Sequence, residues 1–137
     1  MTITLRSSLL ALSAIALMSS PALAYDYGNQ TEGDIVYLTG GIGDNELDEL
    51  EATKSQYNLH ITNTAKEGAY VSDTAIIIYD RANTEVLNTN AGPLLYVNLP
   101  AGRYTISAEY QGVVQTKKVT IGRNKASDIH LVWNVAE

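Results

Sequence analysis

The sequence predicts an all-β fold: a seven-stranded antiparallel Greek-key sandwich preceded by one short amphipathic α-helix. Three observations carry this reading. From Leu59 onward apolar residues recur with a period of two, the repeat of a half-buried strand. Turn-forming residues arrive about every ten positions in the same half, the spacing of an all-β sandwich or barrel. Ahead of it, a single segment shows helical periodicity.

Taken in order, the chain opens with MTITLRSSLLALSAIALMSSPALA. It has one basic residue, Arg6, an apolar core from Leu9 to Met18, Pro21, and small residues at Ala22 and Ala24. This pattern predicts a secretory signal peptide over residues 1–24, cleaved between Ala24 and Tyr25. The apolar core is too short for a permanent membrane span, which needs roughly 20 apolar residues. Tyr25 to Gly33 is polar and reads as a mobile leader, and Asp34 to Leu38 is short and β-prone. GDNELDELEATKSQYN then reads as a helix. Leu47, Leu50 and Tyr57 share one face, and the acids of its first turns oppose the helix dipole favourably.

Strands are expected near Leu59–Asn63, Thr74–Tyr79, Glu85–Asn88, Leu94–Asn98, Arg103–Tyr110, Val113–Ile121 and Ser127–Trp133. In YTISAEY, Tyr104, Ile106, Ala108 and Tyr110 alternate with Thr105, Ser107 and Glu109, so one side is expected to be buried. In the last strand Ile129, Leu131 and Trp133 point inward, and Asp128 and His130 outward. AIIIY, Ala75 to Tyr79, is apolar on both faces and calls for a cover on each, for which the Leu47/Leu50 helix is the candidate. Leu99-Pro100-Ala101-Gly102 and Gln111-Gly112 have the chemistry of tight turns, and Asp80–Asn83 and Gly122–Lys125 that of polar reversals.

GPLLYVNLPAGRYTISAEYQGVVQTKKVTI resembles the second half of carboxypeptidase regulatory-like domains, which belong with the transthyretin-like sandwiches. Leu99-Pro100-Ala101-Gly102-Arg103-Tyr104, leading into an alternating strand, is its most recognisable part. The resemblance covers roughly residues 59–133 and implies a transthyretin-like fold in a small exported bacterial protein. The domain organisation follows: signal peptide 1–24; a polar leader, short strand and helix packing on the sandwich over 25–57; and the sandwich over 58–137.

Composition narrows the chemistry. The net charge is −6, and there is no cysteine, hence no disulfide and no thiol nucleophile. Residues 25–51 hold eight acids and no Lys or Arg. This argues against nucleic acid or anionic lipid as partner, because their phosphates need clustered cations. The glycines of TGGIGDNE, Thr39 to Glu46, lack the Lys and Ser/Thr of a phosphate-binding loop. Acids occupy the helix N-terminus where an anion would sit, so the stretch reads as an elbow with Ile42 tucked against the first turn. Asp44, Glu46 and Asp48 have the spacing that opens a calcium loop, but Glu49 and Ser55 stand where that loop needs Gly and a bidentate Glu. His60 and His130 read as solvent-facing strand residues, and no G-x-S-x-G elbow occurs.

Hydroxyisourate hydrolases use a transthyretin-like sandwich with a C-terminal Tyr-Arg-Gly-Ser motif. The ending His130-Leu131-Val132-Trp133-Asn134-Val135-Ala136-Glu137 departs from it. With nine Tyr and no Phe, Tyr37, Tyr70 and Tyr96 are candidates for a stacking surface toward sugar or protein. The expected function is a non-enzymatic, protein-binding accessory module of the bacterial envelope, periplasmic or secreted, without cofactor or metal. The alternative is a hydrolase or carbohydrate-binding protein on the same fold.

Overall fold

Among the described residues nine segments pair into two sheets packed face to face. The computed structural model describes residues 30–134, so the expected signal peptide and its cleavage site lie outside the described residues. The strands are β1 Gln30–Glu32, β2 Ile35–Gly40, β3 Leu59–Ala65, β4 Thr74–Tyr79, β5 Glu85–Ala91, β6 Leu94–Asn98, β7 Gly102–Tyr110, β8 Val113–Ile121 and β9 Ser127–Trp133. Helix α1, Asp44–Ala52, and a 3-10 turn, Lys54–Gln56, lie between β2 and β3. The larger sheet has the order β1-β2-β6-β3-β9 and the smaller β5-β4-β7-β8.

The seven predicted strands are all present, four with the expected ends, but the count is corrected upward. Eight strands have five or more residues, and the three-residue β1 is an addition. β2 is hydrogen-bonded to β6 within the larger sheet, and β1, drawn from the expected leader, pairs with β2. The sandwich is also not wholly antiparallel. β9 runs parallel to β3, with His60 opposite Asp128 and Thr62 opposite His130. Period-two patterning reports which face is buried but carries no strand direction. The long connection between β3 and β9, through β4 to β8, allows either.

Between the sheets lie Leu59, Ile61, Ile76, Ile78, Leu87, Leu95, Val97, Ile106, Leu131 and Trp133, all with essentially no solvent exposure. Trp133 Nε1 donates to Asn63 Oδ1 at 3.0 Å, which satisfies both buried polar groups. Of the residues expected to be inward, Ile129 is only half-buried, and Thr105, expected outside, is half-buried too.

The helix covers a different strand from the one expected. Leu50, Tyr57 and the half-buried Leu47 pack on Leu38, Leu94 and Tyr96, on the outer face of the larger sheet. In β4, Ile76 and Ile78 enter the core, while Ala75 is exposed and Ile77 half-buried on the outer face of the smaller sheet. The strand apolar on both faces and covered on both is β6: Leu95 and Val97 face the core, Leu94 and Tyr96 the helix. α1 is shorter than the segment read as helical. Thr53 ends it, its hydroxyl donating to Leu50 O at 2.7 Å.

The glycine elbow positions the helix. Gly41 has φ of 106°, a backbone region that glycine enters freely. Glu46 Oε1 accepts from the amide of Ile42 at 3.1 Å and more weakly from that of Gly43 at 3.5 Å. The donors that would greet an anion therefore face a carboxylate. Ile42 itself is 75% exposed rather than tucked against the helix. At the β7–β8 hairpin Gln111 and Gly112 both have positive φ, as a two-residue turn of the primed type requires.

Truncating Leu131 or Leu50 to Ala should each cost about 2–5 kcal/mol in chemical denaturation. The two variants should separate in hydrogen exchange. Leu50→Ala should speed the amides of α1 while those of β3 and β9 stay protected.

Candidate functional site

Alternation on β3 and β9 sends His60, Thr62 and Thr64 to the outer face of the larger sheet, beside Asp128 and His130. The helix end closes over part of this face, and His60 is only 5% exposed, not solvent-facing as its strand position suggested. Its Nδ1 lies 2.7 Å from Asp128 Oδ1. Its Nε2 donates to the carbonyls of Lys54 and Tyr57 at 2.9 and 2.8 Å. The His–Asp geometry is that of a catalytic dyad, but the nitrogen that would act as base is already donating to backbone, so no lone pair is left there to take a proton. Lys54 Nζ adds a weaker contact to Asp128 at 3.8 Å. His60 is thus the bolt that fixes the 3-10 turn to β3 and β9.

His130 is exposed, and its Nε2 lies 2.7 Å from Thr64 Oγ1, the separation of a nucleophile and its base. Thr64 is buried, and His130 Nδ1 has no hydrogen-bond partner among the described residues to orient the ring. Among those residues no group of three or more His, Asp or Glu is placed to hold a metal ion.

The three candidate tyrosines do not form one surface. Tyr37 is buried in the core between the sheets. Tyr96 is buried on the opposite face of the same sheet, beneath the helix, with its ring edge-on to His60 at 5.2 Å between centroids. Tyr70 alone is open, at 46% exposure. Burial pushes the Tyr96 hydroxyl up to about 12, with Glu51, Tyr70 and Asp128 adding to the rise. Tyr57 is raised by burial, and Tyr104 by burial and then by the charge of Asp80.

The smaller sheet presents a different surface. On its outer face Arg103 stands opposite Thr120 and Thr105 opposite Lys118. The β4–β5 turn adds Arg81 and Asn83 beside them. Asp80 shapes that turn, its Oδ1 accepting from the amides of Ala82 and Thr84, both at 2.9 Å. The result is an open depression of about 310 Å³ lined by Arg81, Asn83, Arg103, Thr105, Lys118 and Thr120, among others. None of its three cations forms a salt bridge among the described residues. Sequence reasoning missed this cluster, although half of it was legible. The two-residue Gln111-Gly112 hairpin fixes the β7–β8 register, which places Arg103, Thr105, Lys118 and Thr120 together. Arg81 joins only through the pairing of β4 with β7.

The fold and these surfaces define a two-sheet β-sandwich with one helix on the outside of its larger sheet. No protein-family profile matches the chain, and no curated protein matches it. Among solved structures it is similar to the Bacillus anthracis TIE protein, at 20% identity and a TM-score of 0.43, over 56% of this chain. The match spans 16% of that protein's length. Among the described residues, no helix is long and apolar enough to cross a membrane.

Replacing His60 with Leu removes the donor to two carbonyls and should cost about 1–3 kcal/mol in denaturation, with faster exchange at residues 54–57. A second expectation concerns alkali. The folded state holds the Tyr96 proton up to about pH 12, whereas an unfolded tyrosine releases it near pH 10. Between those values the unfolded state binds fewer protons, so stability falls as pH rises. Tyr96→Phe should flatten that loss in melting curves taken from pH 9 to 11.5.

Proposed function

We propose that this chain is an exported, non-enzymatic accessory module of the bacterial envelope that binds a protein partner. Its sandwich is read as transthyretin-like, of the carboxypeptidase regulatory-like kind, and its export as directed by the signal peptide at 1–24. The observation that carries the binding reading is the seam between β8 and β9. These strands form the edges of their two sheets. They carry three of the five exposed large apolar side chains among the described residues, Val113, Val114 and Val132. Across the seam the edges are bridged by side chains, Gln115 Nε2 donating to Val132 O at 2.8 Å and Ser127 Oγ to Thr120 O at 3.2 Å. Exposed valines beside edge backbone groups suit a partner that lays an extended segment along the edge. The alternative hydrolase reading is favoured by one contact, Thr64 to His130.

A photo-crosslinking residue at Val114 should give a discrete adduct in the envelope fraction, and one at Asp48 on the helix should not. Identical adducts from both positions, or none from Val114, would count against the seam. Ester or glycoside turnover by the purified protein that disappears in His130→Ala would replace the binding reading with the hydrolase.

A further inference from the structure

The depression on the outer face of the smaller sheet borders the seam and shares Thr120 with it, but the side chains of Arg81, Arg103 and Lys118 take no part in either seam bridge. We propose that it is a binding site for a phosphate-type dianion, held by Arg81, Arg103 and Lys118.

Three segments bring these cations together: the β4–β5 turn, the start of β7 and the end of β8. Like charges assembled in this way repel one another. Elsewhere an acidic protein with net charge −6 has ample carboxylates to offset them, yet none of the three is paired among the described residues. The one carboxylate lining the depression, Asp80, has an oxygen engaged by two backbone amides of its turn. Three cations and one carboxylate leave a net charge of +2, which a dianion neutralises and a monocarboxylate does not. Two guanidinium forks offer paired donors suited to tetrahedral oxyanions, and Thr105, Thr120 and Asn83 add neutral ones. A volume of about 310 Å³ admits a phosphate together with part of the group it esterifies. Nucleic acid is disfavoured, because three cations fall short of the roughly 6–10 phosphate contacts of a duplex-binding protein.

The site is independent of the partner reading, since its test uses the purified protein and a defined anion. Amide chemical shifts would be followed during titration with inorganic phosphate, and separately with acetate at matched ionic strength. The expected result is a saturable shift at Arg81, Asn83, Arg103 and Lys118 with phosphate only. Arg103→Gln should weaken it by about tenfold, and Arg123→Gln, outside the depression, should leave it unchanged. Melting curves would establish that both variants remain folded. Co-sedimentation with phosphatidylcholine vesicles containing phosphatidic acid, lost in Arg103→Gln, would place the phosphate on a lipid. Phosphate binding without co-sedimentation would place it on a soluble ester. Equal shifts with acetate, no saturation with phosphate, or equal weakening by Arg123→Gln would overturn the assignment.

Discussion

Strand β6 carries apolar side chains in both directions, and neither set tolerates water. Leu95 and Val97 lie against the smaller sheet, while Leu94 and Tyr96 lie beneath α1. Fully burying a side chain of this size contributes about 1.5–3 kcal/mol, so leaving either face bare would be costly on the scale of a domain's whole stability. Much of the surrounding architecture serves this requirement. β2 and β3 flank β6 and supply its ladder. The glycine elbow turns the chain from β2 back over the sheet, and Leu50 and Tyr57 form the lid. Gly92 permits the entry into β6. A Cβ there would come within 3.0 Å of Gly40 O, and its amide is held by Thr39 Oγ1 at 2.9 Å. Asn58 then ties the lid's far end to the turn after β6, exchanging two bonds with the backbone of Leu99 at 2.8 and 2.9 Å.

This layering also sorts charge. Glu46, Asp48, Glu49 and Glu51 of α1 ride on the outside of the larger sheet, and Arg81, Arg103 and Lys118 gather on the outside of the smaller one, with the apolar core between. Counting charges along the chain therefore described the molecule poorly. The acidic segment and the dispersed cations look like an excess and a near balance, whereas in three dimensions they are two poles. A pole of this kind orients an approaching anion before contact.

Strand positions were legible because alternation and turn chemistry are local, and both survive folding unchanged. Tyr104, Ile106, Leu131 and Trp133 fell on the buried face as read, and the Gln111-Gly112 hairpin formed as its residues require. What depends on partners distant in sequence was not legible. The doubly apolar run at Ala75–Tyr79 and the one at Leu94–Val97 are alike as strings, both lie on interior strands, and only the packing of Leu50 and Tyr57 on Leu94 and Tyr96 shows which one the helix covers. His60 illustrates the same limit. Its strand position correctly places it on the outer face, but the return of the 3-10 turn over that face decides that it is buried and bonded on both nitrogens. Short β1 escaped notice because three residues give no period to detect.

The parallel pairing of β3 with β9 bears on the order in which the chain can assemble. The larger sheet contains both the earliest described strand and the last, and the partners His60 and Asp128 are 68 positions apart. Closing so large a loop is entropically unfavourable until the intervening strands have collapsed, and contacts of such separation form slowly. The smaller sheet, by contrast, is largely a set of neighbours in sequence. A chain emerging from its N-terminus can build the β7–β8 hairpin and its partners while one side of β3 still lacks a strand, and with it the Asn63–Trp133 bond and half of the His60 bolt. Among the described residues, completion of the larger sheet thus waits on the seven-residue strand Ser127–Trp133. This dependence makes β9 the strand on which closure of the larger sheet turns.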